Sequence, residues 1–227
     1  MVEAATGCKM LTGPIETEGD LDARMAALGE GCAVMARLSG LYGRPPLRRR
    51  PAGFEGLVHV VVFQQISILA AQAIWQRTVA VFGAITPERL AAGSDEEYRA
   101  AGQSRPKIRT LRAVAAAVRD GSLDLDGLGR LDADAAEAAL VKVSGIGPWT
   151  AQVYLLTCLG HGDAWPAGDV ALQAAAGDAL GLPARPDGAA MAALGERWRP
   201  HRAVAARLLW AHYAALKGRA AQPATTT

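Results

Sequence analysis

The chain has 227 residues, of which 51% are hydrophobic, and its 24 Lys and Arg residues against 22 Asp and Glu residues give a formal net charge of only +2. This length and composition allow one large or two small globular domains, and they exclude a polycationic nucleic-acid coat. No apolar run reaches membrane-spanning length and the N-terminus lacks the apolar segment of a signal peptide, so we expect a soluble cytoplasmic protein, nucleoid-associated if the source is a bacterium.

Taken in chain order, the hydrophobic periodicity and the capping residues predict an all-α protein. The longest apolar stretch, 53–83, is rich in valine, but its length and its alanine-rich continuation favour a helix over a strand. Thr86 is predicted to cap a helix that has Pro87 at its first position, and Asp169 is predicted to cap another. The predicted helices are 19–43, 53–83, 85–93, 94–102, 107–121, 131–143, 148–160, 168–181, 186–198 and 201–216, and residues 218–227 are predicted to be a disordered tail.

The cysteines and histidines give no sign of a cofactor site. The three cysteines, Cys8, Cys32 and Cys158, are widely spaced, and the four histidines lack metal-ligand spacing. We therefore expect neither a disulfide framework nor a zinc or iron–sulfur site.

Basic residues collect in two places despite the low net charge. Five arginines and no acidic residue lie between Arg37 and Arg50, and four cations and no acidic residue lie from Arg105 to Arg112. Either patch alone is more typical of a solvated helix surface. Together they are compatible with a localised face for a polyanion.

The stretch VSGIGPWTAQ, residues 143–152, breaks a predicted helix and starts another. Gly145 and Gly147 allow positive φ and a close approach of another backbone, and the amides of the turn and of the next helix can bind phosphate. On this stretch alone, a plain helix C-cap is the more common explanation.

Three further elements surround this stretch in a recognisable order. QQIS precedes an alanine-rich helix, SRPK leads another helix, and WRPHR precedes a final Leu-Trp, while Asp169 follows Trp149 by 20 residues. With these elements the chain, from about residue 20 to about residue 216, resembles the helix–hairpin–helix superfamily of DNA base-excision glycosylases. Within it, the chain is most similar to the DNA-3-methyladenine glycosylase II type.

The resemblance implies two helical subdomains with a cleft between them for a flipped base. Residues 53–162 would carry the helix–hairpin–helix motif, and residues 1–52 with 163–227 would carry the catalytic aspartate. We expect no N-terminal β domain, because only about fifty residues precede the FEGL helix.

The resemblance also assigns roles in catalysis and base binding. Asp169 would be the essential carboxylate, although by itself it is better explained as a helix cap, and Asp163 is expected to have a structural part. Trp149 and Trp210 match the tryptophans of the base pocket. The family member considered has a tyrosine where this chain has Val153, so the pocket is expected to be more open or filled from another helix.

Contacts to DNA follow from the same likeness. The hairpin would bind the DNA backbone through Gly145, Ile146, Gly147 and Thr150, and carbonyls of Val141, Val143 and Ile146 would hold a monovalent cation, sodium or potassium. A side chain that fills the gap left by the flipped base is expected near Gln65 and Ile66, and Gln64 would reach the opposite base. An interpretation of Gln64, Gln65 and Ile66 as buried helix positions without a role in DNA binding is nearly as good.

The expected activity is therefore monofunctional removal of alkylated purines, such as 3-methyladenine and 7-methylguanine, from damaged double-stranded DNA by a monomer. Relatives that also cut the backbone have a lysine at or beside position 149, whereas this chain has Pro148, Trp149 and Thr150, so no lyase activity is expected. No cysteine follows Cys158 that could hold the C-terminal iron–sulfur cluster of some relatives. The alternatives are a glycosylase for another damaged or mismatched base, a non-catalytic DNA-binding protein and, least favoured, an all-α interaction protein.

Overall fold

A computed structural model describes residue 11 and residues 13–218 of the chain. These residues form two compact units, of which unit 1 runs to Arg49 and resumes at Gly160, and unit 2 comprises Arg50–Leu159. Of the predicted disordered tail, 218–227, all but residue 218 lies outside the described residues, and so does Cys8.

The described residues form helices and turns and contain no strand, which confirms the predicted all-α class. No described helix is long and apolar enough to cross a membrane. The α-helices are α1 (Glu18–Gly31), α2 (Ala33–Tyr42), α3 (Phe54–Val62), α4 (Ile68–Phe82), α5 (Pro87–Ala91), α6 (Asp95–Ala100), α7 (Arg105–Arg119), α8 (Ala133–Leu140), α9 (Pro148–Tyr154), α10 (Val170–Ala179), α11 (Gly188–Gly195) and α12 (Arg202–Leu216). A π-helical turn, Leu155–Leu159, continues α9.

Two helices predicted as continuous are each broken in the structure. The helix predicted over 19–43 divides at Cys32, whose backbone is extended with φ −147° and ψ 103°, because glycines at positions 29 and 31 weaken the helix there. The helix predicted over 53–83 ends at Val62 and restarts at Ile68. There the Ser67 side chain accepts a hydrogen bond from the Ala70 N–H at 3.2 Å and caps the new helix.

Unit 2 has a core built from valines of α3 and apolar residues of α4 to α7. Its buried cluster is Val58, Val61, Val62, Phe82, Ile85, Leu90, Tyr98, Ala101, Ile108, Leu111 and Ala115. Helix α7 packs against α3 and α5, and α9 packs against α3 and α8. The segment between α8 and α9 is therefore supported on both sides by packed helices.

Unit 1 is centred on the carboxy-terminal helix α12, which packs against α10, α2 and α1. Its fully buried side chains include Leu21, Met35, Leu38 and Trp198. Asp163 accepts hydrogen bonds from Arg199 Nη1 at 2.7 Å and from Arg202 Nε at 2.9 Å. These ion pairs tie the segment that leads into α10 to the start of α12.

Candidate functional site

The glycines of the 143–152 stretch have different roles in the turn between α8 and α9. Gly145 has φ +89°, and a Cβ at this position would lie 1.9 Å from Thr110 Oγ1 on α7. Only glycine fits both the backbone conformation and the close packing. Gly147 has φ −93°, and a Cβ there would meet no atom within 4 Å, so its missing side chain leaves open space outside the turn.

The backbone amides of this hairpin are partly used within it. The Ile146 N–H donates to the Val143 carbonyl oxygen at 3.0 Å, and Pro148 has no N–H to donate. Within the part of the chain that the structure describes, no group accepts a hydrogen bond from the N–H of Gly147 or of Thr150. Because these amides lie at the start of α9, they are suited to bind an anion.

Gln64 lies just after α3 and contacts the hairpin. Its Nε2 donates to Thr150 Oγ1 at 2.6 Å and to the Gly145 carbonyl oxygen at 3.5 Å. Thr150 as a whole residue is only 3% exposed, and its hydroxyl accepts the Gln64 hydrogen bond. The sequence interpretation aimed Gln64 at an opposite base, whereas here its amide nitrogen is directed at the hairpin.

The two residues after Gln64 are exposed to solvent. Gln65 is exposed and has a positive φ of +56°, which is uncommon for a residue other than glycine, and Ile66 is 38% exposed. Just before them, Lys107 Nζ donates to the Val62 carbonyl oxygen at 2.6 Å and so caps the end of α3. Burial lowers the pKa of the Lys107 ammonium group.

An aromatic cluster lies beside this loop within unit 2. The His59 ring stacks on Phe63 with centroids 4.0 Å apart and lies 4.7 Å from the Trp75 ring, and Arg50 Nη1 donates to His59 Nε2 at 2.8 Å. Burial, together with the Arg50 charge, lowers the pKa of His59 to about 3. His59 is therefore neutral at physiological pH.

The acidic candidate, Asp169, lies in unit 1 at the N-terminus of α10. Its Oδ1 accepts a hydrogen bond from the Leu172 N–H at 2.9 Å and another from Trp210 Nε1 at 3.1 Å. The first is the predicted helix cap. The second fixes the orientation of the half-buried carboxylate relative to the indole ring of α12.

The remaining candidates lie in α9. Trp149 lies in the first turn of α9 and is half-buried. Val153, further along the same helix, is also half-buried. The adjacent Tyr154 is fully buried, and its hydroxyl accepts a hydrogen bond from the Gly53 N–H at 3.1 Å. Tyr154 therefore belongs to the core of unit 2. It cannot supply the aromatic ring that is missing at Val153.

Comparison with known proteins extends this description. A family model described as "HhH-GPD superfamily base excision DNA repair protein" matches residues 58–200, which is more than half of the chain. The chain belongs to the HhH-GPD superfamily. The match includes the hairpin, the loop that carries Gln65 and the aspartate at the start of α10.

Relatives within the HhH-GPD superfamily agree with this assignment. A probable bifunctional transcriptional activator/DNA repair enzyme AlkA from Mycobacterium tuberculosis is 34% identical over 84% of this chain, which spans only 40% of that relative. A DNA-3-methyladenine glycosidase from Bacillus halodurans has a similar structure, with a TM-score of 0.76 at 31% identity over 87% of this chain and 92% of the other. Schizosaccharomyces pombe 3-methyladenine DNA glycosylase, Mag1, in complex with abasic DNA gives a TM-score of 0.74 at 29% identity over 83% of this chain and 95% of the other.

The structure also reveals contacts of the candidate site residues that sequence reasoning did not identify. They are the Trp210–Asp169 hydrogen bond in unit 1 and, in unit 2, the contacts of Gln64 with Thr150 and of Lys107 with Val62. The SRPK element contains Lys107, but its hydrogen-bond partner, Val62, lies 45 residues away in the sequence. Contacts of this kind leave no local signal in the sequence.

Proposed function

We propose that this protein is a monofunctional DNA glycosylase that acts as a monomer on double-stranded DNA and removes alkylated purines such as 3-methyladenine and 7-methylguanine. Membership of a base excision repair superfamily and the similarity to proteins named 3-methyladenine glycosylases or glycosidases support this function. The observation that carries the proposal is the carboxylate of Asp169, which two hydrogen bonds on Oδ1 hold in one orientation.

Asp169 is the group that stabilises charge in the proposed reaction. The bond between C1′ of the deoxyribose and the base nitrogen breaks, and its electron pair leaves with the base, which neutralises the positive charge of an alkylated ring. Positive charge develops on the sugar, where a carboxylate lowers the energy of the transition state. The carboxylate also orients the water that attacks C1′ and accepts its proton.

Selectivity for a cationic base is assigned to the tryptophans. In unit 1, Trp210 is half-buried and oriented by its hydrogen bond to Asp169, and in unit 2, Trp149 is half-buried in the first turn of α9. An electron-rich indole face attracts a positively charged base more strongly than a neutral one. Because position 153 is valine, α9 offers a bound base less aromatic surface than the corresponding helix of the family member with tyrosine.

DNA binding is assigned to the hairpin and to the loop after α3. The amides of Gly147 and Thr150 would donate to a backbone phosphate at the start of α9, with Gly145 and Ile146 shaping the turn. Gln65, which is exposed at the turn of its loop, is the preferred side chain to fill the gap left by a flipped base, and Ile66 is the next candidate.

A monovalent cation at the hairpin, sodium or potassium, is compatible with the backbone there. Val141, Val143 and Ile146 lie in the one segment between α8 and α9. The Val143 carbonyl oxygen already accepts the Ile146 N–H, but a carbonyl oxygen has a second lone pair for a cation. These carbonyl oxygens would hold the ion, which would add positive charge at the hairpin, and we propose no other cofactor.

The chain offers no lysine at or beside position 149 for a Schiff base, since positions 148–150 are Pro, Trp and Thr and Lys142 lies ahead of the two hairpin glycines. We therefore propose hydrolysis without cleavage of the DNA backbone. Borohydride treatment of the protein with damaged duplex should yield no covalent protein–DNA complex. A trapped complex would contradict the monofunctional assignment.

The direct test of the proposed function is base release from methylated DNA. The purified protein is incubated with duplex DNA that has been treated with a methylating agent, and the freed bases are separated by chromatography. Release of 3-methyladenine or 7-methylguanine is the expected result. If neither base appears above the level of a no-enzyme control, the proposed activity is wrong.

A further inference from the structure

The loop of residues 63–67 between α3 and α4, here called the Gln65 loop, is attached to its surroundings at both ends. At its start, Lys107 Nζ donates to the Val62 carbonyl oxygen at 2.6 Å. At its end, the Ser67 hydroxyl accepts the Ala70 N–H at 3.2 Å. Between these points Gln65 has φ +56°, a conformation that residues other than glycine rarely adopt unless neighbouring contacts impose it.

Gln64 supplies a contact from inside this loop to the hairpin. Its Nε2 lies 2.6 Å from Thr150 Oγ1 and 3.5 Å from the Gly145 carbonyl oxygen. Thr150 is 3% exposed and lies in the first turn of α9, so the shorter hydrogen bond is partly buried. A partly buried hydrogen bond limits the motion of both segments more than a fully exposed one does.

We propose that Gln64 is a positioning residue that couples the Gln65 loop to the hairpin, so that binding of a DNA backbone at the hairpin and insertion of Gln65 into the duplex occur together. This inference rests on the proposed function, because it assumes that the protein inserts a side chain into damaged duplex. Gln64 itself does not touch the DNA bases in this account. Its amide is used to hold its neighbour in the exposed, left-handed conformation.

The test measures insertion separately from backbone binding. The probe is a duplex with a tetrahydrofuran abasic-site analogue opposite 2-aminopurine, whose fluorescence reports unstacking. Anisotropy gives the affinity for this duplex and for the same duplex without the lesion. The variants are Gln64→Ala, Thr150→Val and the double variant, and Thr150→Ser is the conservative variant that retains the hydroxyl.

Two control variants remove a side-chain amide and a side-chain hydroxyl elsewhere in unit 2. Gln76→Ala truncates an exposed glutamine of α4, and Thr157→Val removes a hydroxyl that donates to the Val153 carbonyl oxygen at 2.7 Å. Thermal unfolding shows which variants are folded. Thr150→Val keeps the shape of the buried side chain, so it tests the proposal even if Gln64→Ala is unstable.

The proposal predicts that Gln64→Ala and Thr150→Val each lower the preference for the abasic duplex about fivefold, the effect of one hydrogen bond, and reduce the 2-aminopurine signal at saturation. Affinity for undamaged duplex should change less than about twofold, since that binding depends mainly on backbone contacts. The double variant should lose no more than the larger single variant, because both remove the same contact. Thr150→Ser and both controls should behave like the wild type.

A wild-type preference and signal in Gln64→Ala and Thr150→Val would overturn the proposal. So would losses that multiply in the double variant, or a wild-type protein that gives no 2-aminopurine signal. None of these measurements requires base release. If the wild type released no methylated base but the binding results appeared as predicted, the coupling would stand and the proposed glycosylase function would fail.

Discussion

At the residue scale, Asp169 combines two roles in one side chain. Its Oδ1 caps α10 through the Leu172 N–H and accepts the indole N–H of Trp210. The cap gives the side chain a fixed rotamer, and the indole fixes the plane of the carboxylate. A group that must stabilise charge in a transition state benefits from being held in place before the substrate arrives.

The Trp210 contact can be tested by keeping the ring and removing the donor. Trp210→Phe deletes the N–H that lies 3.1 Å from Asp169 Oδ1 but retains an aromatic face. We expect base release to slow about two- to tenfold, the effect of one lost hydrogen bond, with a small change in melting temperature. A release rate equal to that of the wild type under single-turnover conditions would show that the indole N–H does not orient Asp169.

The two hairpin glycines should respond differently to alanine. At Gly145, with φ +89° and Thr110 Oγ1 1.9 Å from a new Cβ, Gly145→Ala should destabilise unit 2. Gly147→Ala should fold normally, because nothing lies within 4 Å of its Cβ, but the added methyl would obstruct a phosphate and weaken binding to duplex DNA. Thermal melts and anisotropy check both variants, and normal DNA affinity of Gly147→Ala would argue against the hairpin as the phosphate site.

At the element scale, several helix ends were predicted from their capping residues, and the two internal breaks were not predicted. Thr86 and Asp169 cap the helices that they were predicted to cap, since a cap depends on the next three residues. The break within 53–83 has a local cap at Ser67, but Lys107 and Thr150 also contact this segment from distant positions, which the sequence does not indicate. Similarly, Asp169 could be named from the sequence, but its hydrogen bond to Trp210, 41 residues away, could not.

Helix α3 carries a pH-dependent contribution to stability through His59. In the folded protein the His59 pKa is lowered from its ordinary 6.5 to about 3, whereas the unfolded chain binds a proton near 6.5. The unfolded state therefore gains a proton between these values, so stability is retained above pH 6.5 and falls as the pH drops toward 3. The contribution is at most about 1.4 kcal/mol per pH unit.

Urea unfolding of the wild type and His59→Gln at several pH values checks this contribution. The free energy of unfolding of the variant should fall less steeply below pH 6.5 than that of the wild type, so the two curves should converge as the pH drops. The comparison is needed because burial and Arg24 also lower the pKa of His201, which acts in the same direction. Parallel curves would show that His59 titrates alike in the folded and unfolded states.

At the scale of the whole molecule, composition and periodicity were enough for the all-α class, and the ordered motifs were enough for the superfamily. In the proposed function the chemistry depends on a single carboxylate in unit 1, while the hairpin and the Gln65 loop belong to unit 2. This division separates two measurable properties. Changes at Asp169 should affect the rate of base release, and changes at the hairpin should affect DNA binding.

Asp169→Asn tests the central claim most directly, because asparagine caps a helix as well as aspartate does and can still accept the Trp210 N–H, while the negative charge is removed. Asp187→Asn is the matched control, since Asp187 caps α11 in the same unit by accepting the Ala190 N–H at 2.8 Å. We predict that Asp169→Asn lowers the rate of 3-methyladenine and 7-methylguanine release from methylated duplex at least about 100-fold, with the melting temperature and DNA affinity retained. Release by Asp169→Asn at the rate of the wild type and of Asp187→Asn would contradict the assignment of Asp169 as the catalytic carboxylate.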